Sequence, residues 1–161
     1  MKYFLLILLF FLNSCAYKSL SSLSEDELGQ RIYVKTIINK IEPKNSILLG
    51  DNFAQYLQSY LNKEVVDNEE SDVDISIKEN KLIFSPLYYD ELGNAKVNKA
   101  IVEILFLVDY KNGKKKQIIT SGEYIFNLDS SGVISDELKR EAINQASLRA
   151  FNEFIFVLLN N

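Results

Sequence analysis

The stretch Ala100-Ile101-Val102-Glu103-Ile104-Leu105-Phe106-Leu107-Val108-Asp109-Tyr110 is apolar at almost every position. Successive side chains of a strand point to opposite faces, so Val102, Ile104, Phe106 and Val108 share one face and Ile101, Leu105 and Leu107 the other. A strand with one wet face alternates cleanly, and this one does not, so both faces want cover. One face suits the protein's own helices, and Ile101, Leu105 and Leu107 suit a partner. Downstream, Asn112-Gly113 predicts a type I′ hairpin, in which both central residues take positive φ, into a strand over Gln117 to Asn127.

Upstream, Val73, Ile75 and Ile77 alternate with polar residues, and Leu82-Ile83-Phe84 resumes the pattern before Pro86, a residue suited to an edge. A turn at Gly93-Asn94 then completes a three-strand antiparallel meander. Before it, Arg31 to Ile37 is rich in β-branched and aromatic residues and reads as a first strand. Ser46 is placed to cap a helix carrying Leu49, Phe53, Tyr56, Leu57 and Tyr60, with Gly50 as its weak point. After a loop at Asp129 to Gly132, Ser135 or Asp136 caps a terminal helix. Its stripe is Ile143, Ala146, Ala150, Phe151, Phe154 and Leu158. The expected fold is α+β, a two-layer sandwich of a mostly antiparallel four-stranded sheet with two main helices on one face, in the order β-α-β-β-β-α.

Composition removes several function classes. The 161 residues include no histidine and one cysteine, and the formal net charge is −4. Without His or a spare thiol, the commonest general base, zinc ligands and activated nucleophiles are missing. No glycine-rich phosphate loop appears, and carboxylates such as Glu103 and Glu123 show no catalytic pairing. The chain is therefore expected to be no enzyme and to hold no metal or cofactor. Without a basic field it is no nucleic-acid binder. The acidic run Asp67 to Asp72 lacks the glycine a calcium loop turns on and reads as a solvated loop.

The single cysteine explains the amino terminus. Lys2 precedes an apolar run, Tyr3 to Leu12, too short for the roughly 20 residues that cross a bilayer, and Leu12-Asn13-Ser14-Cys15 follows it. This resembles a bacterial lipoprotein signal. It implies cleavage before Cys15, diacylation of the thiol and acylation of the new amine, a covalent lipid in place of any cofactor. Two or three acyl chains anchor far more firmly than one, at about 0.8 kcal/mol per buried CH₂. The expected organisation is a signal peptide over 1–14, an acylated cysteine and tether over 15–30, with order from near Arg31, and a folded domain over 31–161.

The order of elements, with Ala16-Tyr17-Lys18 after the cysteine, Ser71 to Ile77 entering a strand, Tyr88 to Ala95 turning into the meander and Glu141 to Ala146 opening the last helix, is similar to that of the LPS-assembly lipoprotein LptE family. The resemblance implies an outer-membrane, lipid-anchored protein on the periplasmic side that plugs the β-barrel LptD and assists lipopolysaccharide assembly. Some members carry a basic residue for lipopolysaccharide contact in the turn that here reads Asp90-Glu91-Leu92-Gly93. The basic candidates in this chain are the hairpin lysines Lys111, Lys114, Lys115 and Lys116, with Lys96 and Lys99 as second choices. They suit lipid A phosphates or an anionic surface. The reading that weighs more is a lysine-rich turn that keeps the hairpin soluble and discourages edge pairing. A lipoprotein regulating an envelope enzyme such as a peptidoglycan synthase is the alternative function.

Overall fold

The computed structural model describes Ser24, residues 27–129 and residues 132–160. The lipobox, Cys15 and Ala16-Tyr17-Lys18 lie outside the described residues. Five strands, β1 (Arg31–Ile37), β2 (Glu64–Val65), β3 (Val73–Tyr89), β4 (Ala95–Tyr110) and β5 (Lys115–Asn127), form one mixed sheet in the order β2-β1-β3-β4-β5. Two helices, α1 (Pro43–Leu61) and α2 (Asp136–Asn160), cover one face.

The sheet corrects the four-stranded expectation in two ways. β2 adds a fifth strand of two residues, pairing Glu64 and Val65 with Arg31 and Ile32, too short to show any alternation in sequence. β1 runs parallel to both β2 and β3, because a strand left through a helical crossover returns in the same direction. The meander β3-β4-β5 is antiparallel as expected. β3 runs unbroken through Glu79-Asn80-Lys81 with a register shift there, and Pro86 lies where β1 has ended and only β4 flanks the strand.

The core is the inner face of this sheet. Ile75, Ile77, Val102, Ile104 and Phe106 are buried beneath Phe53, Phe151 and Phe154. Phe106 stacks on Phe154 at 4.1 Å, and Phe53 meets Phe151 and Phe106 at 5.1 and 5.3 Å. Such ring pairs add about 0.5–1.5 kcal/mol each beyond area burial. Packing starts before β1. Leu28 is fully buried, and the Glu27 carboxylate accepts a bond from the Tyr110 hydroxyl at 3.3 Å and pairs with Lys116 at 3.4 Å. Order thus extends upstream of Arg31 to at least Glu27.

Close approach by glycine sets the helix positions. A Cβ on Gly50 would lie 2.0 Å from Thr36 Oγ1, and one on Gly122 1.9 Å from the Ala146 carbonyl oxygen. Gly50 is therefore where α1 sits down on β1, and not a weak point. Ser46 does not cap α1 either, since the helix begins with Pro43 at its first turn and Ser46 Oγ accepts from the Asn39 amide at 2.9 Å. Ser135 does cap α2, its hydroxyl oxygen accepting from the Leu138 amide at 3.2 Å.

Candidate functional site

The face of the sheet away from the helices carries the residues that sequence assigned to a partner. Register pairs Ile83 with Ile101 and Ile101 with Glu123, Lys78 with Leu105 and Leu105 with Ile119, and Ser76 with Leu107 and Leu107 with Gln117. Ile101, Leu105 and Leu107 therefore lie together on one face, half-buried by their cross-strand neighbours. Among the described residues no helix covers them. Ile119 and Ile125 on β5 extend the patch with 53% and 56% of their surface exposed. These two were not singled out in sequence, although β5 alternates cleanly and they occupy its outer positions.

A polar row, Lys81-Glu103-Ser121, crosses this face between Ile101 and Leu105, and ion pairs stand toward its ends. Lys99 meets Glu123 at 3.1 Å, and Lys115 meets Asp109 at 2.5 Å. At the far tip of the β3-β4 hairpin, Leu87, Tyr88, Tyr89 and Leu92 are all exposed, Leu92 to 87%. The tip turns on Asp90, whose carboxylate accepts from the amides of Leu92 and Asn94 at 3.0 and 2.8 Å and pairs with Lys96 at 3.3 Å. Those bonds, the Asn94 amide first, hold Asp90 below the usual carboxylate range.

The lysine hairpin is not a bare cationic cluster. Lys111 pairs with Asp74 at 3.1 Å, Lys115 with Asp109, and Lys116 with Glu27, the last with only 12% of its side chain exposed. Lys114 instead lies 5.6 Å over the Tyr110 ring. Four lysines thus face three carboxylate partners. Burial, then the neighbouring Glu27 carboxylate, pushes the Tyr110 phenol up to about 12. The turn departs from type I′. Gly113 has positive φ and Asn112 does not, while the Gly113 amide donates to the Tyr110 carbonyl at 2.9 Å and the Tyr110 amide to Lys114. This is a three-residue loop with glycine in the left-handed position, which a two-residue Asn-Gly turn does not allow for.

The acidic run forms a short 3-10 turn, Asn68–Glu70. Beyond it, Asp72 accepts from the backbone amides of Gln30 and Arg31 and pairs with the Arg31 guanidinium at 3.0 Å. Asp74 is Lys111's partner, so both carboxylates are engaged in fixing strand entry. No helix among the described residues is long and apolar enough to cross a membrane.

The sequence matches no protein-family model and no curated protein. Solved structures resemble the fold. Rare lipoprotein B from Shewanella oneidensis superposes with a TM-score of 0.53 at 16% identity, over 81% of this chain and 98% of that one. A putative lipoprotein from Caulobacter crescentus gives 0.54 at 11% identity, over 88% and 93%. A protein from Xanthomonas campestris gives 0.50 at 13% identity, over 81% and 83%. At these identities the likeness is one of fold: this chain has an α+β architecture found among bacterial lipoproteins.

Proposed function

We propose that the chain is a non-enzymatic lipoprotein of the LptE kind, anchored through Cys15 to the periplasmic side of the outer membrane and seated in an LptD β-barrel, where it assists lipopolysaccharide assembly. The observation that carries this reading is the uncovered sheet face, where Leu105, Leu107 and Ile119 form one apolar group and Ile83, Ile101 and Ile125 a second, the latter on the side of the exposed tip residues Leu87 and Tyr88. Apolar side chains left uncovered on a sheet face suit an interaction surface, here in two groups on either side of the row Lys81-Glu103-Ser121. Its mixture of apolar groups and charges suits a partner surface that is itself part apolar and part polar. The lipoprotein-like fold and the signal ending at Cys15 support the anchor.

Within the hairpin, lipopolysaccharide contact falls mainly to Lys114, since Lys111, Lys115 and Lys116 already hold carboxylates. Purification of the full chain from native membranes, followed by mass spectrometry, tests the proposal. Diacylated Cys15 and a co-purifying barrel whose recovery drops in Leu105→Asp are the expected result. Recovery of a peptidoglycan synthase in place of a barrel would transfer the assignment to an enzyme regulator.

A further inference from the structure

The helices leave a groove between them on the side facing away from the sheet. It has a volume of about 370 Å³. α1 contributes Asn52, Gln55, Ser59 and Tyr60, and α2 contributes Asn144, Gln145 and the apolar Leu148. In a chain with 25% charged residues, no charged side chain lines it. Tyr56 and Phe151 reach it from the core. Tyr60 stacks on Tyr56 with ring centroids 5.2 Å apart and keeps 61% of its surface exposed. Tyr56 is fixed in turn by its hydroxyl, which donates to Asn152 Oδ1 at 2.9 Å. Asn52 and Asn144 bridge the helices at 2.7 Å.

We propose that this groove binds a neutral oligosaccharide, with Tyr60 as its stacking platform and the Asn and Gln amides as its hydroxyl readers. Three features select that ligand class. Each amide offers both a donor and an acceptor, the pair a sugar hydroxyl requires. The bond between Asn52 and Asn144 uses one donor and one acceptor, leaving capacity on both side chains. Tyr60, braced from behind by Tyr56, presents a ring face already held in place, so little side-chain freedom is lost on stacking. An anionic ligand would meet no cation here. A purely apolar one would strip water from six polar side chains without replacing their hydrogen bonds. The assignment does not depend on a barrel partner, because the groove lies on the opposite side of the molecule from the open sheet face.

The test is titration of the full chain, in a detergent that contains no sugar, with maltotetraose and with chitotetraose, followed by amide and side-chain NMR. Saturable shifts at Tyr60, Asn144 and Gln145 are expected, with Kd on the order of 1 mM. The two sugars distinguish a hexose chain from an N-acetylhexosamine chain, and either binding supports the inference. Tyr60→Ala should weaken binding roughly tenfold, as loss of an aromatic contact does, while Tyr60→Phe retains it. Should Tyr60→Ala disturb Tyr56, Gln145→Glu at the exposed rim provides the second variant and should weaken binding several-fold. No saturation by either sugar, saturation by a tetra-alanine peptide alone, or equal affinity in the variants would overturn it. Since co-purification of a barrel is measured separately, the two proposals fail independently.

Discussion

Gly122→Ala should cost more than any other single added methyl on the sheet. The new Cβ would stand 1.9 Å from the Ala146 carbonyl oxygen and 2.7 Å from the Ala150 nitrogen, and both are backbone atoms of α2 that cannot rotate away. Reaching the 3.0 Å below which real Cβ contacts essentially never fall requires α2 to recede by at least about 1.1 Å. Overpacking of this kind costs about 1–3 kcal/mol. The Thr120 hydroxyl, which donates to the Ala150 carbonyl at 2.8 Å inside the core, would lose its partner at a further cost of about 1 kcal/mol. The sum, about 2–4 kcal/mol, is a large share of the 5–15 kcal/mol that holds a typical domain together. Urea unfolding followed by far-ultraviolet circular dichroism measures it, with a melting point lower by roughly 10 °C as a second readout. Gly113→Ala is the control. A Cβ there meets nothing within 4 Å, so its cost is only that of a positive φ of 87°, about 1–2 kcal/mol. A loss at Gly122 below about 0.5 kcal/mol, or no larger than that at Gly113, would show that helix and strand are not locked as described.

Leu105→Asp should leave folding nearly intact and cut recovery of the partner, whereas Phe106→Ala, one residue away on the buried face, should cost about 3–5 kcal/mol of stability; thermal melting beside co-purification separates the two faces. Glu79 gives a pH signature. Burial first, then Glu42, raises its pKa against the opposing pull of Asn39 and Lys139. Between the ordinary carboxylate value and the raised one the folded state binds more proton than the unfolded chain, so the stability linked to it is present in acid and is lost as pH rises through that window. Glu79→Gln should accordingly be more stable than the parent at pH 7 and indistinguishable from it below about pH 4, and denaturation at both pH values checks the sign. Changing Lys111, Lys114 and Lys115 together to Gln should barely move the melting point, because exposed pairs contribute little. The same variant should reduce any lipopolysaccharide binding that weakens with salt, and unchanged, salt-insensitive binding would return the hairpin to a solubility role.

The long elements were legible because their patterns are long. Eleven residues of β4, Asn98 to Val108, alternate without error between buried and half-buried, and the α2 stripe from Ile143 to Leu158 is buried at every position named from sequence. What escaped was short or tertiary. β2 is two residues held by the amides of Glu64 and Val66 bonding to the carbonyls of Gln30 and Ile32, a pairing that no local pattern announces. Gly50 reads as a poor helix residue until Thr36 is seen beneath it, because propensity counts backbone entropy and not the neighbour that a side chain would strike. Of the candidate site, sequence found Ile101, Leu105 and Leu107 through two-sided apolarity. It could not find the partners of the lysines, since Asp74, Asp109 and Glu27 come to them only through strand register and the packing of Glu27 beside Tyr110.

Those register facts also give the molecule two unlike ends. Val73 pairs with Tyr110 at one end of β3, so the lysine hairpin stands beside Glu27 and the entry of the chain from its amino-terminal side. Tyr89 pairs with Ala95 at the other end, 17 residues along the strand, roughly 55 Å away at about 3.3 Å per residue. From Cys15 to Glu27 the chain reaches at most about 40 Å. With Cys15 acylated, the lysine hairpin would lie at the end of the strands nearer the anchor, within reach of about 40 Å of chain, and Leu87, Tyr88, Tyr89 and Leu92 at the other end. Under the proposed function a protein partner would cover them, and the same hairpin carries Ile83 and Ile101 on its open face.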